Sequence, residues 1–358
     1  MRVVVLGGHG NFGARICRAL ANDPQIVVLA VGRTARGGLN TQLDFDSPDF
    51  PARLRALAPS VVIHCAGPFQ GQDYRVAGAA IAAGAHYIDL ADGREFVAGF
   101  KGQVDYAARA AKLLAITGAS TLPALSSAVI DSLAARFNRI EEIQISIAPG
   151  QRAPRGTATI ASVFSYVGRP FKWLSDERWT DAWGWQELRQ LRFAGLGRRW
   201  AAACDVPDLV LLPGRYPGLK TMEFRAALEL GIQHFALWVA AALRRVGIPL
   251  PLERWAGPLN RMATWLDIFG SDRGGMLVSL AGTRNNGSRA RIEWHLTAEA
   301  GHGPEIPCMA AILLTRKLAR TEISARGAYP CMGFLKLADF EPEFAKWHIS
   351  TVVEEGST

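Results

Sequence analysis

Three glycines near the amino terminus have the spacing that binds a diphosphate. Gly8, Gly10 and Gly13 form a G-x-G-x-x-G pattern directly after the apolar run 3–6 and directly before a helical pattern. In this arrangement the first glycine permits a tight turn, the second lets the backbone approach a pyrophosphate, and the third lets the helix pack against the strand. The helix N-terminus adds free N–H groups and partial positive charge. The pattern predicts a dinucleotide-binding site.

The second apolar run, 26–31, leads into Arg33 and Thr34 where an NAD-specific site would place a carboxylate for the ribose. A guanidinium there can bind a 2′-phosphate in bidentate fashion, and the Thr34 hydroxyl can add a hydrogen bond. We therefore predict NADP(H) rather than NAD(H), although Arg33 could also be an ordinary surface arginine. Asp44, after a presumed third strand, would meet the adenine edge or be a solvated loop residue.

Two further strand ends carry candidates for the reaction centre. Ala66, Gly67 and Pro68 lie at the end of the run 61–66, at the edge of the sheet where the nicotinamide and its ribose should lie. Tyr87, Asp89 and Asp92 lie in HYIDLADG, at the end of the neighbouring strand, and could supply a general acid or orient an amine. Asp89 could equally cap the following helix.

Outside this region the candidates are fewer. Arg152 and Arg155 lie in a polar loop that would suit an anionic substrate group, or would simply be solvated. The five cysteines are odd in number and lack CxxC spacing, which argues against a disulfide framework and a structural zinc site, so we predict no metal. We expect a reducing compartment, and because the chain starts on a strand-like segment instead of a signal peptide, we predict a cytoplasmic protein.

The elements that must position these residues follow from hydrophobic patterning. Up to about residue 120, short apolar runs alternate with helical segments, which predicts βαβ units and a parallel sheet. From residue 125 the pattern changes to alternating strands, an aromatic-rich stretch and two apolar helical runs, 226–247 and a second ending at 269. The predicted fold class is α/β, a doubly wound Rossmann sheet in domain 1–124 with an inserted α+β domain at 125–327.

Charge and hydropathy limit the partners. The net charge of +8 would suit nucleic acid, an anionic membrane surface or a phosphorylated cofactor. The arginines are not interleaved with aromatic residues, and no helix-turn-helix or zinc-finger pattern is present, so we predict no nucleic acid partner. The run 228–243 is too short to span a bilayer. We interpret it as a core or homodimer-interface helix, with peripheral membrane contact, helped by Arg244 and Arg245, as the alternative.

Two long segments resemble a known family. VVVLGGHGNFGARICRAL and VVIHCAGPFQGQDYRVAGAAIAAGAHYIDLADG are similar to the saccharopine dehydrogenase-like oxidoreductases. The match is closest over residues 1–130. The later pieces ALSSAVIDSLA, HGPEIPCMAAILLTRKLA and GAYPCMGFLKLADF look like a bacterial branch of that family, so the similarity extends along the chain.

The resemblance implies a Rossmann domain, an inserted substrate and dimerisation domain, and a C-terminal segment, 328–358, that returns to the first domain. It also implies an NAD(P)-dependent reaction on a small molecule that makes or cleaves a secondary amine through an imine, or reduces another unsaturated bond. The family's cofactor positions fall on Gly8, Gly10, Asn11, Phe12, Gly13, Arg33, Thr34, Ala66, Gly67 and Pro68. A non-catalytic NADPH sensor or a membrane-associated scaffold protein is the alternative function.

Overall fold

The computed structural model describes residues 1–33 and 41–356, which divide into two compact units. The strands are β1 (Arg2–Leu6), β2 (Val27–Gly32), β3 (Thr41–Gln42), β4 (Val61–His64), β5 (His86–Asp89), β6 (Leu114–Thr117), β7 (Arg139–Ala148), β8 (Pro170–Ser175), β9 (Arg178–Trp183), β10 (Arg189–Phe193), β11 (Gly197–Ala203), β12 (Thr221–Ala227), β13 (Gly274–Thr283), β14 (Arg289–Ala298), β15 (Gly327–Pro330) and β16 (Ile349–Gly356).

The helices alternate with these strands. They are α1 (Asn11–Ala21), α2 (Phe50–Ala56), α3 (Arg75–Ala82), α4 (Arg94–Ala110), α5 (Ser126–Ala134), α6 (Thr157–Tyr166), α7 (Asp208–Arg215), α8 (Gly231–Arg245), α9 (Ala256–Trp265), α10 (Ile306–Ala319) and α11 (Leu337–Ala345), with a π-helical turn at Thr121–Leu125 and 3-10 turns at Leu266–Phe269 and Gly303–Glu305. Within the described ranges, none of these helices has both the length and the apolarity that a membrane-spanning helix needs.

The first unit, Met1–Leu125 with Pro304–Leu335, is built on a seven-stranded sheet. Its strand order is β15-β6-β5-β4-β1-β2-β3, and every pairing is parallel. Val3, Val4 and Val5 are fully buried, as expected for a central strand covered by helices on both faces. The strand order runs from β1 to β2 and β3 on one side and from β4 to β5 and β6 on the other, so the switch point lies between β1 and β4. Open α/β sheets bind ligands at the carboxyl ends of the strands beside such a switch point.

The predicted fold class is confirmed, and the apolar runs 3–6, 26–31, 61–66 and 86–90 correspond to β1, β2, β4 and β5. The returning segment differs from the prediction of 328–358, because residues 304–335 join the first unit and 336–358 do not. The backbone pairing gives the reason. β15 continues the first sheet by pairing with β6, whereas β16 pairs with β14 in the second sheet.

The second unit, Ser126–Gly303 with Lys336–Thr358, contains a nine-stranded mixed sheet. The order of its main path is β10-β11-β12-β7-β13-β14-β16, with β8 paired to β12 and β9 paired to β8. One face is apolar, and Phe224, Ile145, Val278 and Trp294 lie side by side across four strands of it. This buried row forms the centre of the α+β unit.

Candidate dinucleotide-binding site

The turn between β1 and α1 depends on a glycine one position before the predicted one. Gly7 has a φ of +77°, in the left-handed region, and its N–H donates to the Val31 carbonyl at 3.0 Å. Gly8 is needed for a different reason, since a Cβ there would lie 2.8 Å from the Cα and Cβ of Ala30. Gly7 makes the tight turn, and Gly8 lets that turn lie against β2.

Gly13 allows α1 to start directly on the turn. A Cβ at this position would lie 2.2 Å from the Gly7 carbonyl oxygen and 2.8 Å from its carbonyl carbon. Both are backbone atoms, so they cannot rotate away as a side chain could. Gly13, Ile16 and Leu20 form the buried stripe of α1, which is the spacing expected of a helix packed along one face.

Gly10 has no comparable packing reason within the described residues. It precedes α1 with φ −77° and ψ 176°, a conformation open to any residue. A Cβ here would meet one atom within 4 Å, the Gly7 carbonyl oxygen at 3.2 Å. The space beside Gly10 is therefore available for a close approach from outside the turn, as a bound pyrophosphate requires.

The start of α1 is held by the returning segment. Arg15 donates to Glu305 at 2.8 Å and to the Asn11 carbonyl at 2.7 Å, and its guanidinium also bonds the Asn11 side chain. The Cys308 thiol lies 3.6 Å from the Phe12 carbonyl oxygen. Gly10, the N-cap of this helix, makes no side-chain cap hydrogen bond, and a helix N-terminus carries the partial positive charge that attracts an anion.

Arg33 lies exposed at the end of β2, where the sequence predicts contact with the 2′-phosphate. The Gln42 side-chain amide donates to the Arg33 carbonyl at 2.9 Å and so holds the backbone beside β3. Thr34 lies outside the described residues. The exposed guanidinium and its place at the strand end are compatible with phosphate binding.

His9 is a residue that sequence reasoning missed. Its ring packs over Gly32, because a Cβ on that glycine would lie 3.1 Å from the His9 Cδ2 atom. The Nε2 atom of His9 is buried and has no hydrogen-bond partner in the described part of the chain. The ring therefore packs on the end of β2 at Gly32, the residue before Arg33. The position of His9 between Gly8 and Gly10 is the sequence feature that could have identified it.

Asp44 lies beside the same strand end, since the Leu43 N–H donates to the Gly32 carbonyl at 2.9 Å. Its carboxylate accepts the Asp46 N–H at 3.1 Å, and its carbonyl accepts the Ser47 N–H. These bonds make Asp44 the first residue of the turn that leads to α2. Contact with an adenine edge stays a prediction.

The turn of Ala66, Gly67 and Pro68 lies against the glycine turn, because a Cβ on Gly7 would be 3.1 Å from the Ala66 nitrogen. The Gln72 side-chain amide ties it down by donating to the carbonyls of Ala66 at 3.0 Å and Pro68 at 2.7 Å. These two turns therefore meet at the carboxyl edge of the sheet, where the nicotinamide was predicted.

Tyr87 points into the core of the first unit. It is buried, and its ring stacks on Phe100 with centroids 5.8 Å apart. Burial and the neighbouring Asp89 carboxylate raise the pKa of Tyr87 well above its usual range. Burial and stacking give this side chain a packing role in the first unit, and a catalytic role for Tyr87 stays a prediction.

Asp89 joins the ends of β5 and β6. Its carboxylate accepts hydrogen bonds from the Ala91 N–H at 2.9 Å, the Gly118 N–H at 2.8 Å and the Thr117 hydroxyl at 2.9 Å. Burial raises its pKa to about 6, against the opposing effect of these donors. Helix α4 begins after Gly93, so Asp89 is not its cap. It shapes the strand ends that carry the site.

We expect Asp89→Asn to remove a pH dependence of stability. Because burial raises the pKa of Asp89 from 3.8 to about 6, the unfolded chain loses this proton first as pH rises. As the pH rises from about 4 to neutral, the free energy of unfolding of the wild type should therefore fall relative to that of Asp89→Asn. The difference should reach about 3 kcal/mol at neutral pH. Urea unfolding at several pH values measures it, with exposed Glu95→Gln as control. A wild-type curve parallel to that of Asp89→Asn would contradict this role.

Asp92 is the exposed member of the three predicted catalytic residues. The Gln70 amide lies 3.4 Å from its carboxylate, and Gly93 next to it packs against Phe69 and Gln70. Asp92 therefore borders the turn formed by Ala66, Gly67 and Pro68. A ligand at that edge could reach its carboxylate.

Arg152 and Arg155 lie in the second unit and both contact Asp267. The Arg152 Nε donates to the Asp267 carbonyl at 3.0 Å, and Arg155 forms an ion pair with the Asp267 carboxylate at 2.7 Å. The positive charge of Arg155, which would attract an anionic substrate group, is thus partly neutralised by the Asp267 carboxylate. Substrate binding by this loop stays a prediction.

One cluster of the second unit has ligand atoms close enough for a cation. Glu293, His295 and Glu354 place them within 4.8 Å of one another. The Ala194 N–H donates to the His295 Nδ1 at 3.2 Å, and the His295 Nε2 lies 3.6 Å from a carboxylate oxygen of Glu293. Glu354 pairs with Arg192 at 2.6 Å. We interpret the cluster as an ion-pair network, and the prediction of no metal stays a prediction.

No protein-family model and no curated protein sequence matches this chain. Solved structures share its fold. Apo saccharopine dehydrogenase (L-Glu forming) from Saccharomyces cerevisiae is 11% identical, with 99% of this chain and 100% of that chain covered and a TM-score of 0.69.

Two other solved structures match over similar lengths. The DAP dehydrogenase of C. glutamicum, in complex with DAP, is 15% identical over 95% of this chain and 98% of its own, with a TM-score of 0.51. An engineered D-amino acid dehydrogenase bound to NADP⁺ is 16% identical over the same shares, with a TM-score of 0.50. The chain has the saccharopine dehydrogenase-like fold that its motifs predicted; the bacterial branch stays a prediction.

Proposed function

We propose that this protein is an NADP-dependent oxidoreductase that transfers hydride to or from a C=N bond, as in an imine or secondary amine, or another unsaturated bond of a small molecule. The observation that carries the proposal is the space beside Gly10 at the start of α1. Gly7, Gly8 and Gly13 are explained by packing within the turn, and Gly10 is not. A pyrophosphate bound against the helix start explains this glycine.

The adenosine half of the cofactor would then extend towards the end of β2, and the nicotinamide half would extend towards the end of β4. His9 and Arg33 would border the adenosine half, with the guanidinium on the 2′-phosphate. The turn of Ala66, Gly67 and Pro68 would lie against the nicotinamide half, and its small residues permit close approach. The bound nicotinamide supplies or accepts the hydride.

The chain's own residues would handle position and protons. Asp89 fixes the ends of β5 and β6 through three hydrogen bonds, so it acts as a positioning residue. Asp92 is exposed at the same edge, and we propose it as the group that exchanges a proton with the substrate or orients its amine. Arg152 and Arg155 remain our candidates for an anionic group of the substrate.

We expect Arg33→Ala to remove the preference for NADPH. A charge-assisted bond to the 2′-phosphate is worth about 1.5–3 kcal/mol, so NADPH binding should weaken about tenfold or more while NADH binding stays unchanged. Titration with each cofactor, followed by fluorescence, measures both affinities.

The matched control is Arg18→Ala, which removes an exposed arginine near the far end of α1. It should leave both affinities as in the wild type. Tighter binding of NADH than NADPH by the wild-type protein, or an unchanged preference in Arg33→Ala, would rule out the role of Arg33.

A cofactor-binding sensor without catalysis is the second candidate, and one observation favours it. Two of the three predicted catalytic side chains, Tyr87 and Asp89, are buried in structural roles. Following NADPH absorbance with a panel of imines, enones and ketones separates the candidates. Turnover that falls in Asp92→Asn supports the enzyme, whereas tight NADPH binding with no turnover of any substrate supports the sensor.

A further inference from the structure

Helix α8 presents an apolar stripe to solvent. Among its residues His234 and Ala241 are the ones buried. The exposed apolar side chains recur every three or four residues, which places them on one side of a helix. They are Ile232, Phe235, Val239, Leu243 and, just after the helix, Val246. A helix of a globular protein normally turns such a stripe towards the core.

The segment that follows continues this surface. Trp265 is 76% exposed, Ile268 73% and Phe269 70%. Trp255 and Met262 are also exposed, and Ala256 is the buried residue of α9. Solvent-exposed side chains of this size are costly when they have no partner, and groups of them mark interaction sites.

Side-chain contacts link the two stretches at both ends of α8. The Gln233 amide donates to the Ala263 carbonyl at 3.4 Å, which joins the start of α8 to the end of α9. At the opposite end Arg244 pairs with Glu253 at 3.2 Å. Residues 231–269 therefore form an antiparallel helical hairpin, here called the apolar hairpin.

The border of the apolar hairpin carries excess positive charge. Arg245, Arg254 and Arg261 are exposed. The carboxylates of the hairpin are already paired, Glu253 with Arg169 and Arg244, and Asp267 with Arg155. The whole chain carries a net charge of +8. This surface thus combines large apolar side chains with a cationic border.

We propose that the apolar hairpin docks on an anionic membrane surface, lying in the plane of the headgroups. At 15 residues α8 is about 23 Å long, which suits a helix that lies in the interface. Trp255, Trp265 and Phe269 provide the aromatic side chains that favour the headgroup region, and the arginines complement anionic lipid.

Charge decides between this partner and a second copy of the chain. In a two-fold dimer this patch meets the same patch of a second copy, so both cationic borders would enter one interface, and the patch's own carboxylates, Glu253 and Asp267, are already paired. An anionic lipid surface instead complements both the apolar centre and the arginine border. The proposal does not depend on the cofactor or on the reaction.

Co-sedimentation with vesicles tests the proposal, using phosphatidylcholine alone and phosphatidylcholine mixed in equal parts with phosphatidylserine. We expect the wild-type protein to bind the anionic vesicles at least about tenfold more tightly, and to be released by high salt. The double variant Trp265→Ser, Phe269→Ser should lose at least about tenfold in affinity. Arg254→Gln combined with Arg261→Gln should weaken binding to the anionic vesicles but leave binding to phosphatidylcholine vesicles unchanged.

The matched control is Tyr106→Ser, which removes an 88% exposed aromatic side chain from α4 in the first unit. It should bind vesicles as the wild type does, and thermal unfolding of all variants should stay unchanged. Absence of binding to anionic vesicles, or equal binding by the double variant, overturns the proposal. A dimer by analytical ultracentrifugation that the double variant converts to a monomer would also overturn it and assign the surface to a second copy.

Discussion

Gly13→Ala is expected to destabilise the first unit by about 3 kcal/mol or more, in the upper range for an overpacked site. The new Cβ would lie 2.2 Å from the Gly7 carbonyl oxygen. That oxygen also accepts the Gly10 N–H at 2.9 Å, so moving it disrupts the turn. Urea unfolding of the full chain without cofactor measures this loss in the free energy of unfolding.

Gly102→Ala is the matched control, because a Cβ at this position of α4 would have no neighbour within 4 Å among the described residues. Alanine in a helix interior should stabilise there by about 0.5–1 kcal/mol. Equal stability of Gly13→Ala and the wild type would contradict the packing of α1 on the turn.

Gly10→Ala is expected to weaken NADPH binding about 100-fold, which corresponds to about 2.7 kcal/mol, while the apo protein loses much less stability than in Gly13→Ala. The backbone conformation of Gly10 suits alanine, and the built Cβ has one neighbour, 3.2 Å away. The methyl group would occupy the space that we assign to the pyrophosphate. Fluorescence titration and thermal unfolding together measure the two effects.

Gly78→Ala provides the control for Gly10→Ala, since a Cβ in that part of α3 also has open space around it in the described structure. It should bind NADPH as the wild type does. If Gly10→Ala bound NADPH with wild-type affinity, the dinucleotide would not lie against the start of α1, and the proposed site would be wrong.

The first sheet could be predicted from sequence because its strands are short, apolar on both faces and separated by helical patterns. The order of β1, β2 and β4 around the glycine turn then follows from the rules of doubly wound sheets. The returning segment was harder to place. Whether residues 327–330 or 349–356 join β6 is decided by long-range pairing, which local patterns do not encode.

Within the candidate site, the sequence located the glycine turn but not the role of each residue. Both Gly7 and Gly8 precede the helix, and which of them has positive φ depends on the packing of Ala30 and Val31. A strand buried on both faces likewise has no alternation to show that Tyr87 points into the core. The partner of Arg155, Asp267, lies more than a hundred residues further along the chain.

The crystal structure of this chain with NADP⁺ tests the central claim most directly. We expect the pyrophosphate at hydrogen-bonding distance from the backbone N–H groups of the first turn of α1, beside Gly10, and the 2′-phosphate on the Arg33 guanidinium. A dinucleotide bound away from this turn, or no nucleotide at a saturating concentration, would contradict the account.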